Sequence, residues 1–191
     1  MKIVFIGSST MGPRFIMGLL KKHGHECFGV YQGLDKMVGE KQLSFFSTPL
    51  ESGMLKQIHP DIVGISSCSF DYQELSDITR KIKKIVPDSL IVFGGIHPTL
   101  CPEEVISQDE VDIVCIGEGE YPMLDLCQAL ENGTDYTKIA SLWVKKDVTI
   151  PKNGSRPYPE ILDEFPLDRE GMTFYGIFSG RGCAGNCFFC N

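Results

Sequence analysis

Three cysteines, Cys183, Cys187 and Cys190, carry the most chemistry in their spacing. They form a C-x3-C-x2-C triplet, with Gly182 before it and Gly185 inside it. Three thiolates on one short, glycine-containing loop can converge on a single soft metal centre. Three protein ligands suit a 4Fe-4S cluster with one iron left open, and an open iron can bind a substrate or cofactor. Zinc is the competing centre. Structural zinc takes four protein ligands, usually as separated pairs, and no fourth cysteine or histidine lies near the triplet in sequence.

A second constellation is built from loops. Four short stretches of small residues each follow an apolar run: Gly7-Ser8-Ser9-Thr10-Met11-Gly12, Ser66-Ser67-Cys68-Ser69, Gly94-Gly95-Ile96-His97-Pro98-Thr99 and Gly117-Glu118-Gly119-Glu120. Glycines and hydroxyls let a bulky ligand approach the backbone and offer it hydrogen bonds. The first loop begins like a phosphate-binding P-loop, Gly7-x4-Gly12, but Pro13-Arg14 stands where Lys-Ser/Thr is required. No G-x-G-x-x-G follows the first apolar run, and Glu118 and Glu120 would repel a pyrophosphate. Neutral or amide-bearing ligands fit these loops better. His97 could reach a ligand or a metal, though a loop histidine is also ordinary polar surface. Glu118 and Glu120 could hydrogen-bond a ligand or simply favour the positive start of the next helix. His23 and His25, beside Gly24, read as surface residues.

The elements that must position these loops are legible from periodicity. Lys2–Ile6, Glu26–Tyr31, Asp61–Ser66, Leu90–Phe93 and Asp112–Ile116 are short, apolar and β-branched, as in strands buried on both faces. Between them run helical stripes. Phe15, Ile16, Leu19 and Leu20 stop at Gly24. Leu75, Ile78, Ile82 and Ile85 have Asp71 placed to cap their start and Pro87 beyond their end. Leu124, Cys127 and Leu130 end at Asn132-Gly133. A weaker helix fits Leu50–Ile58 and a short one Pro102–Ser107. This alternation predicts an α/β fold: a doubly wound, Rossmann-like, five-stranded parallel sheet with flanking helices over residues 1–150. Ligands of such sheets bind beyond the carboxyl ends of the strands, where the four loops lie. Ile139–Val144 and Val148–Ile150 suggest a small added hairpin. Residues 40–48 read as loop or extra strand.

Residues 151–166 hold four of the eleven prolines, which marks 151–170 as an extended linker. Met172–Phe178 then reads as one more strand, running into the triplet.

Composition bounds the function. With 191 residues, 42% hydrophobic and 23% charged, the chain is globular. Its net charge of −7 argues against a nucleic-acid-binding face. No apolar run reaches the length of a signal-peptide core or a membrane span, so a cytoplasmic protein with no membrane partner is expected. The other five cysteines, at 27, 68, 101, 115 and 127, are scattered among apolar residues and read as reduced thiols.

Taken together, these residues resemble a known family. Arg181-Gly182-Cys183-Ala184-Gly185-Asn186-Cys187-Phe188-Phe189-Cys190 is similar to the cluster motif of radical S-adenosylmethionine (SAM) enzymes. Phe93–Thr99, Val111–Glu120 and Leu162–Pro166 resemble the cobalamin-binding class of those enzymes. The resemblance implies cobalamin in the crevice of the first domain, held by Ser8, Ser9, Thr10, Met11, Ser66, Ser67, Cys68, Ser69, Gly94, Gly95, His97, Pro98, Thr99, Gly117, Glu118, Gly119 and Glu120. It implies that Cys183, Cys187 and Cys190 ligate a 4Fe-4S cluster whose open iron holds SAM. An electron from the cluster would cleave SAM to methionine and a 5′-deoxyadenosyl radical, for chemistry such as methyl transfer. Residues 171–191 would be the first strand and cluster loop of a barrel whose remainder is the chain's partner, so the isolated chain would be inactive. No histidine stands after the first strand, so a bound cobalamin would lack a lower histidine ligand from that loop. A non-catalytic α/β binding or sensor module is the alternative.

Overall fold

The computed structural model describes residues 1–7, 11–31, 52–146, 149–158, 160–169, 180–182, 185 and 187. Ser8, Ser9, Thr10, Cys183, Cys190, residues 40–48 and the strand expected at Met172–Phe178 lie outside them.

Five apolar runs become the parallel strands β1 (Lys2–Gly7), β2 (Glu26–Tyr31), β3 (Ile62–Ser66), β4 (Leu90–Gly94) and β5 (Ile113–Cys115). Their order is β2-β1-β3-β4-β5, so the sheet reverses direction of growth between β1 and β3. Alternate side chains enter opposite cores, as strand geometry requires. Ile3, Phe5, Ile62, Val92, Ile113 and Cys115 face one core; Val4, Ile6, Val63, Ile65, Ile91, Phe93 and Val114 face the other. The first core is closed by α1 (Met11–Lys22) and α6 (Glu120–Asn132), the second by α2 (Ser52–Ile58), α3 (Tyr72–Ile85) and α5 (Pro102–Ile106). Helix α6 ends where Gly133 adopts φ +64° and returns its N–H to Ala129 and Leu130 carbonyls.

Four expectations are corrected. The sheet has six strands: β6 (Leu142–Val144) pairs antiparallel with β5 and puts Leu142 and Val144 into the first core. Its outer side meets Lys152, and Lys146 pairs with Thr149, so part of the expected hairpin is present as isolated bridges. His25 is buried, with its Nδ1 3.3 Å from the N-terminal ammonium and 3.4 Å from Glu131. Asp71 precedes α3, but its carboxylate accepts the Cys68 N–H at 2.7 Å in place of a side-chain cap. The loop after β4 contains a one-turn helix, α4 (Ile96–Leu100), in which the Cys101 N–H donates to the His97 carbonyl.

The proline-rich segment is extended but docked. Phe165 is buried in the first core, after a short 3-10 turn at Leu162–Glu164. The Arg14 guanidinium donates to the Asp168 carbonyl at 2.9 Å, and Lys21 pairs with the Asp168 carboxylate at 3.1 Å. Cys27, Cys115 and Cys127 are buried free thiols, as their apolar neighbours suggest. Among the described residues, no helix is long and apolar enough to cross a membrane.

Candidate cofactor-binding site

A crevice of about 480 Å³ opens at the carboxyl ends of β1, β3, β4 and β5. That size is typical of small-molecule sites. Its floor is the sheet face beneath α1 and α6, where Phe5, Gly64, Val92 and Cys115 leave a gap. Its walls are Gly12 and Pro13, Ser66–Cys68, Gly94–Ile96 with Thr99 and Leu100, and Gly117–Glu120. Three large apolar side chains stand at the site with much of their surface in water: Ile96 (63% exposed), Leu100 (47%) and Tyr158 (64%). An open cleft with an apolar rim suits a large, partly apolar ligand.

The walls are held by hydrogen bonds between loops. Ser67 N–H donates to the Gly94 carbonyl at 3.0 Å, and His97 N–H donates to the Ser67 carbonyl at 3.2 Å. Thr99 Oγ1 accepts the Gly117 N–H at 3.0 Å and donates to the Gly95 carbonyl at 2.8 Å. Gly95 sits at φ +103°, ψ −167°, a conformation that only glycine adopts without strain. A Cβ there would lie 2.6 Å from the Ser67 carbonyl oxygen. Glycine is therefore required for the loops after β3 and β4 to touch.

Among the expected ligand contacts, Ser66, Ser67, Cys68, Gly94, Gly95, Thr99, Gly117, Glu118, Gly119 and Glu120 come together on this crevice. Met11, Ser69, His97 and Pro98 are not among its lining residues. His97 is buried elsewhere. Its ring stacks on Tyr72 at 3.9 Å and its Nδ1 is 3.1 Å from Ser69 Oγ. It is therefore neither surface nor crevice wall. Periodicity gave no signal for Phe5, Gly64, Val92 and Met123 as floor residues, because the same apolar pattern marks ordinary core. The spacing of Ile96 and Leu100 on one helical turn could have flagged the rim.

Electrostatics centre on the loop after β5. Glu120 is only 2% exposed and Glu118 is half-buried; both accept hydrogen bonds from one guanidinium, Arg181. Burial pushes the Glu118 carboxyl above its ordinary range, against the opposing pull of Arg181. Burial works against the Arg181 cation, but its hydrogen bonds and charge pairing with the two glutamates outweigh that and raise it. Sequence reading took Arg181 only as part of the cysteine motif. Cys187 is an exposed free thiol.

The family of B12-binding domains matches residues 8–126. The chain belongs to that family. An uncharacterised methyltransferase of Pyrococcus horikoshii is 29% identical over 150 residues, covering 72% of this chain and 33% of that protein. A cobalamin-dependent radical SAM methyltransferase of Streptomyces tokunonensis is 23% identical over 164 residues, 77% of this chain and 24% of that protein. The chain thus spans a third or less of these relatives. The solved structure of the cobalamin-dependent SAM radical enzyme OxsB, with aqua-cobalamin and SAM bound, superposes at a TM-score of 0.62. It shares 16% identity, over 88% of this chain and 24% of that one. At that identity the likeness is one of fold. The class suggested by the motifs and the Rossmann-like architecture are both upheld.

The crevice offers one feature in particular that would suit cobalamin. Ser67 Oγ is buried in the crevice wall and has no hydrogen-bond partner among the described residues. An unpaired buried hydroxyl is costly unless a ligand completes it. The periphery of cobalamin carries amides that can do so, and the Gly94-Gly95 backbone admits a close approach.

Proposed function

We propose that this chain binds cobalamin at the carboxyl-end crevice and presents it to radical SAM chemistry, with methyl transfer as the favoured outcome. The observation that carries the reading is the open crevice whose wall holds a buried Ser67 hydroxyl with no partner among the described residues, in a chain whose residues 8–126 match the B12-binding family. Cys183, Cys187 and Cys190 hold a 4Fe-4S cluster in this reading, supported by their spacing. When bound, the cluster would supply the electron for SAM cleavage and cobalamin would serve as a methyl carrier.

The chain's own residues bind, orient and exclude water. Ser66, Ser67 and Thr99 offer hydroxyls to neutral amides. Gly94, Gly95, Gly117 and Gly119 keep the wall thin. Ile96, Leu100 and Tyr158 cover an apolar face of the ligand. Ser8, Ser9 and Thr10, from the loop after β1, contribute further hydroxyls in the same reading. No histidine lines the crevice among the described residues.

Hydroxocobalamin added to the protein, followed by desalting, tests the first claim. About one equivalent of corrinoid absorbance should remain, with a spectrum lacking a protein-nitrogen ligand. A protein that retains no corrinoid would instead be a binding or sensor module for another ligand. Anaerobic reconstitution tests the second claim: iron and sulfide should load, and a colourless protein with stoichiometric zinc would overturn it.

A further inference from the structure

Arg181 joins the two cofactor regions. It stands two residues before Cys183. Its side chain is 13% exposed, and its two terminal nitrogens reach separate carboxylates, Nη1 to Glu118 and Nη2 to Glu120. The guanidinium also lies 5.2 Å from the ring centre of Phe15 and 5.7 Å from that of Phe165. Glu118 and Glu120 flank Gly119, and all three line the crevice, whereas Arg181 does not. Nothing in the fold requires this contact. The sheet and helices close without residue 181, yet Glu120, the most buried glutamate among the described residues, finds its counter-ion there.

The energetics make the contact consequential. Removing one partner of a buried ion pair leaves an uncompensated charge, which is far costlier than losing an exposed pair. Without Arg181, two carboxylates with a single residue between them would repel, and Glu120 would be left buried. The loop must then move to hydrate Glu120, which displaces the wall that faces the ligand.

We propose that Arg181 is a positioning residue: it sets the Gly117–Glu120 wall of the crevice, and so makes ligand binding there depend on the segment that carries the cysteine triplet. The coupling is reciprocal, so a filled crevice holds Arg181 more firmly in return. The ligand's identity rests on the cobalamin reading above; the positioning role does not.

Two measurements on the full chain test this, using Arg181→Ala and Arg181→Lys. In the ligand-free protein, amide hydrogen exchange over residues 116–123 should rise about tenfold in Arg181→Ala and less in Arg181→Lys, which keeps the charge but loses the fork. Exchange in β1 and β3 should stay at the wild-type rate, which separates wall displacement from general unfolding. Hydroxocobalamin affinity should fall about tenfold in Arg181→Ala, within the usual range of coupling between sites. Unchanged exchange over 116–123 overturns the proposal, whether or not corrinoid binds. Raised exchange with unchanged corrinoid affinity overturns the dependence of binding on Arg181. Wild-type protein that binds no corrinoid overturns the cobalamin reading instead, and the exchange data then decide the positioning role by themselves.

Discussion

Replacing Gly95 with alanine should force apart the two loops that wall the crevice. The new Cβ would lie 2.6 Å from the Ser67 carbonyl oxygen and 3.0 Å from the Ser67 nitrogen, both backbone atoms that cannot swing aside. Two costs add. Holding a non-glycine residue in this region of backbone space costs about 1–3 kcal/mol. Overfilling a packed contact costs a further ~1–3 kcal/mol. The smaller conformational freedom of the unfolded alanine chain returns about 0.4–1 kcal/mol. A net loss of about 3 kcal/mol corresponds to a fall in Tm of roughly 6–12 °C for a chain of this size. Far-UV circular dichroism during heating measures it. Two glycines divide the cost into its parts. Gly133 has φ +64° and nothing within 4 Å of its Cβ position, so Gly133→Ala carries backbone strain alone and should cost about 1 kcal/mol. Gly53 lies in α2 with open space and no such φ, so Gly53→Ala should be neutral or stabilising. A Gly95→Ala Tm within 2 °C of wild type, or a Gly133→Ala loss as large as that of Gly95→Ala, would refute the argument from close approach. Corrinoid retention should fall in Gly95→Ala alone, because Ser67 moves with the clash.

Other consequences are as direct. Gly18→Ala would place a Cβ 1.7 Å from the Pro166 carbonyl oxygen, so residues 165–168 should leave α1; proteolysis in 160–169 should quicken markedly, and an unchanged digestion pattern would contradict the docking. Tyr158→Ala removes a ring that is 64% exposed at the crevice, so Tm should hold within about 1 °C while corrinoid affinity weakens about five- to tenfold, read by visible titration. Burial pushes the Cys27, Cys115 and Cys127 thiols up to about 12, so iodoacetamide at pH 8 should label Cys187 first and leave those three intact by mass spectrometry; rapid labelling of Cys115 would show that the crevice floor opens. Burial lowers the His25 pKa below the unfolded value of 6.5, so the unfolded chain takes up the proton first. Stability from this residue is complete above 6.5 and is lost as pH falls through the lower folded value. The urea midpoint should therefore drop more between pH 7.5 and 5.5 in wild type than in His25→Gln, and parallel drops would rule out this histidine as the source.

Much of the architecture was readable in one dimension because its causes are local. Apolar β-branched runs located β1 to β5 within a residue or two, since burial on both faces writes itself into consecutive positions. The stripe ending at Asn132-Gly133 located α6, because a left-handed residue after a helix is a local backbone need. That the four loops share one edge of the sheet was legible, since parallel strands carry all their carboxyl ends to one side.

What stayed hidden depends on partners distant in sequence. His25 is buried because the N-terminus and Glu131 close over it, and His97 is buried because Ser69 and Tyr72 cover it. β6 falls within the strand expected at Ile139–Val144, but its pairing with β5 was decided by the unpaired backbone groups that the sheet edge offers. Arg181 meets Glu118 and Glu120 across more than sixty residues of chain. By itself, then, the sequence determined the fold class and the side of the sheet on which the crevice opens, because spacing and residue chemistry are properties of neighbours. Only the tertiary structure decided which loop residues face the crevice, which histidines are buried and which cation neutralises Glu120, because burial and charge pairing are settled by what the rest of the chain brings alongside.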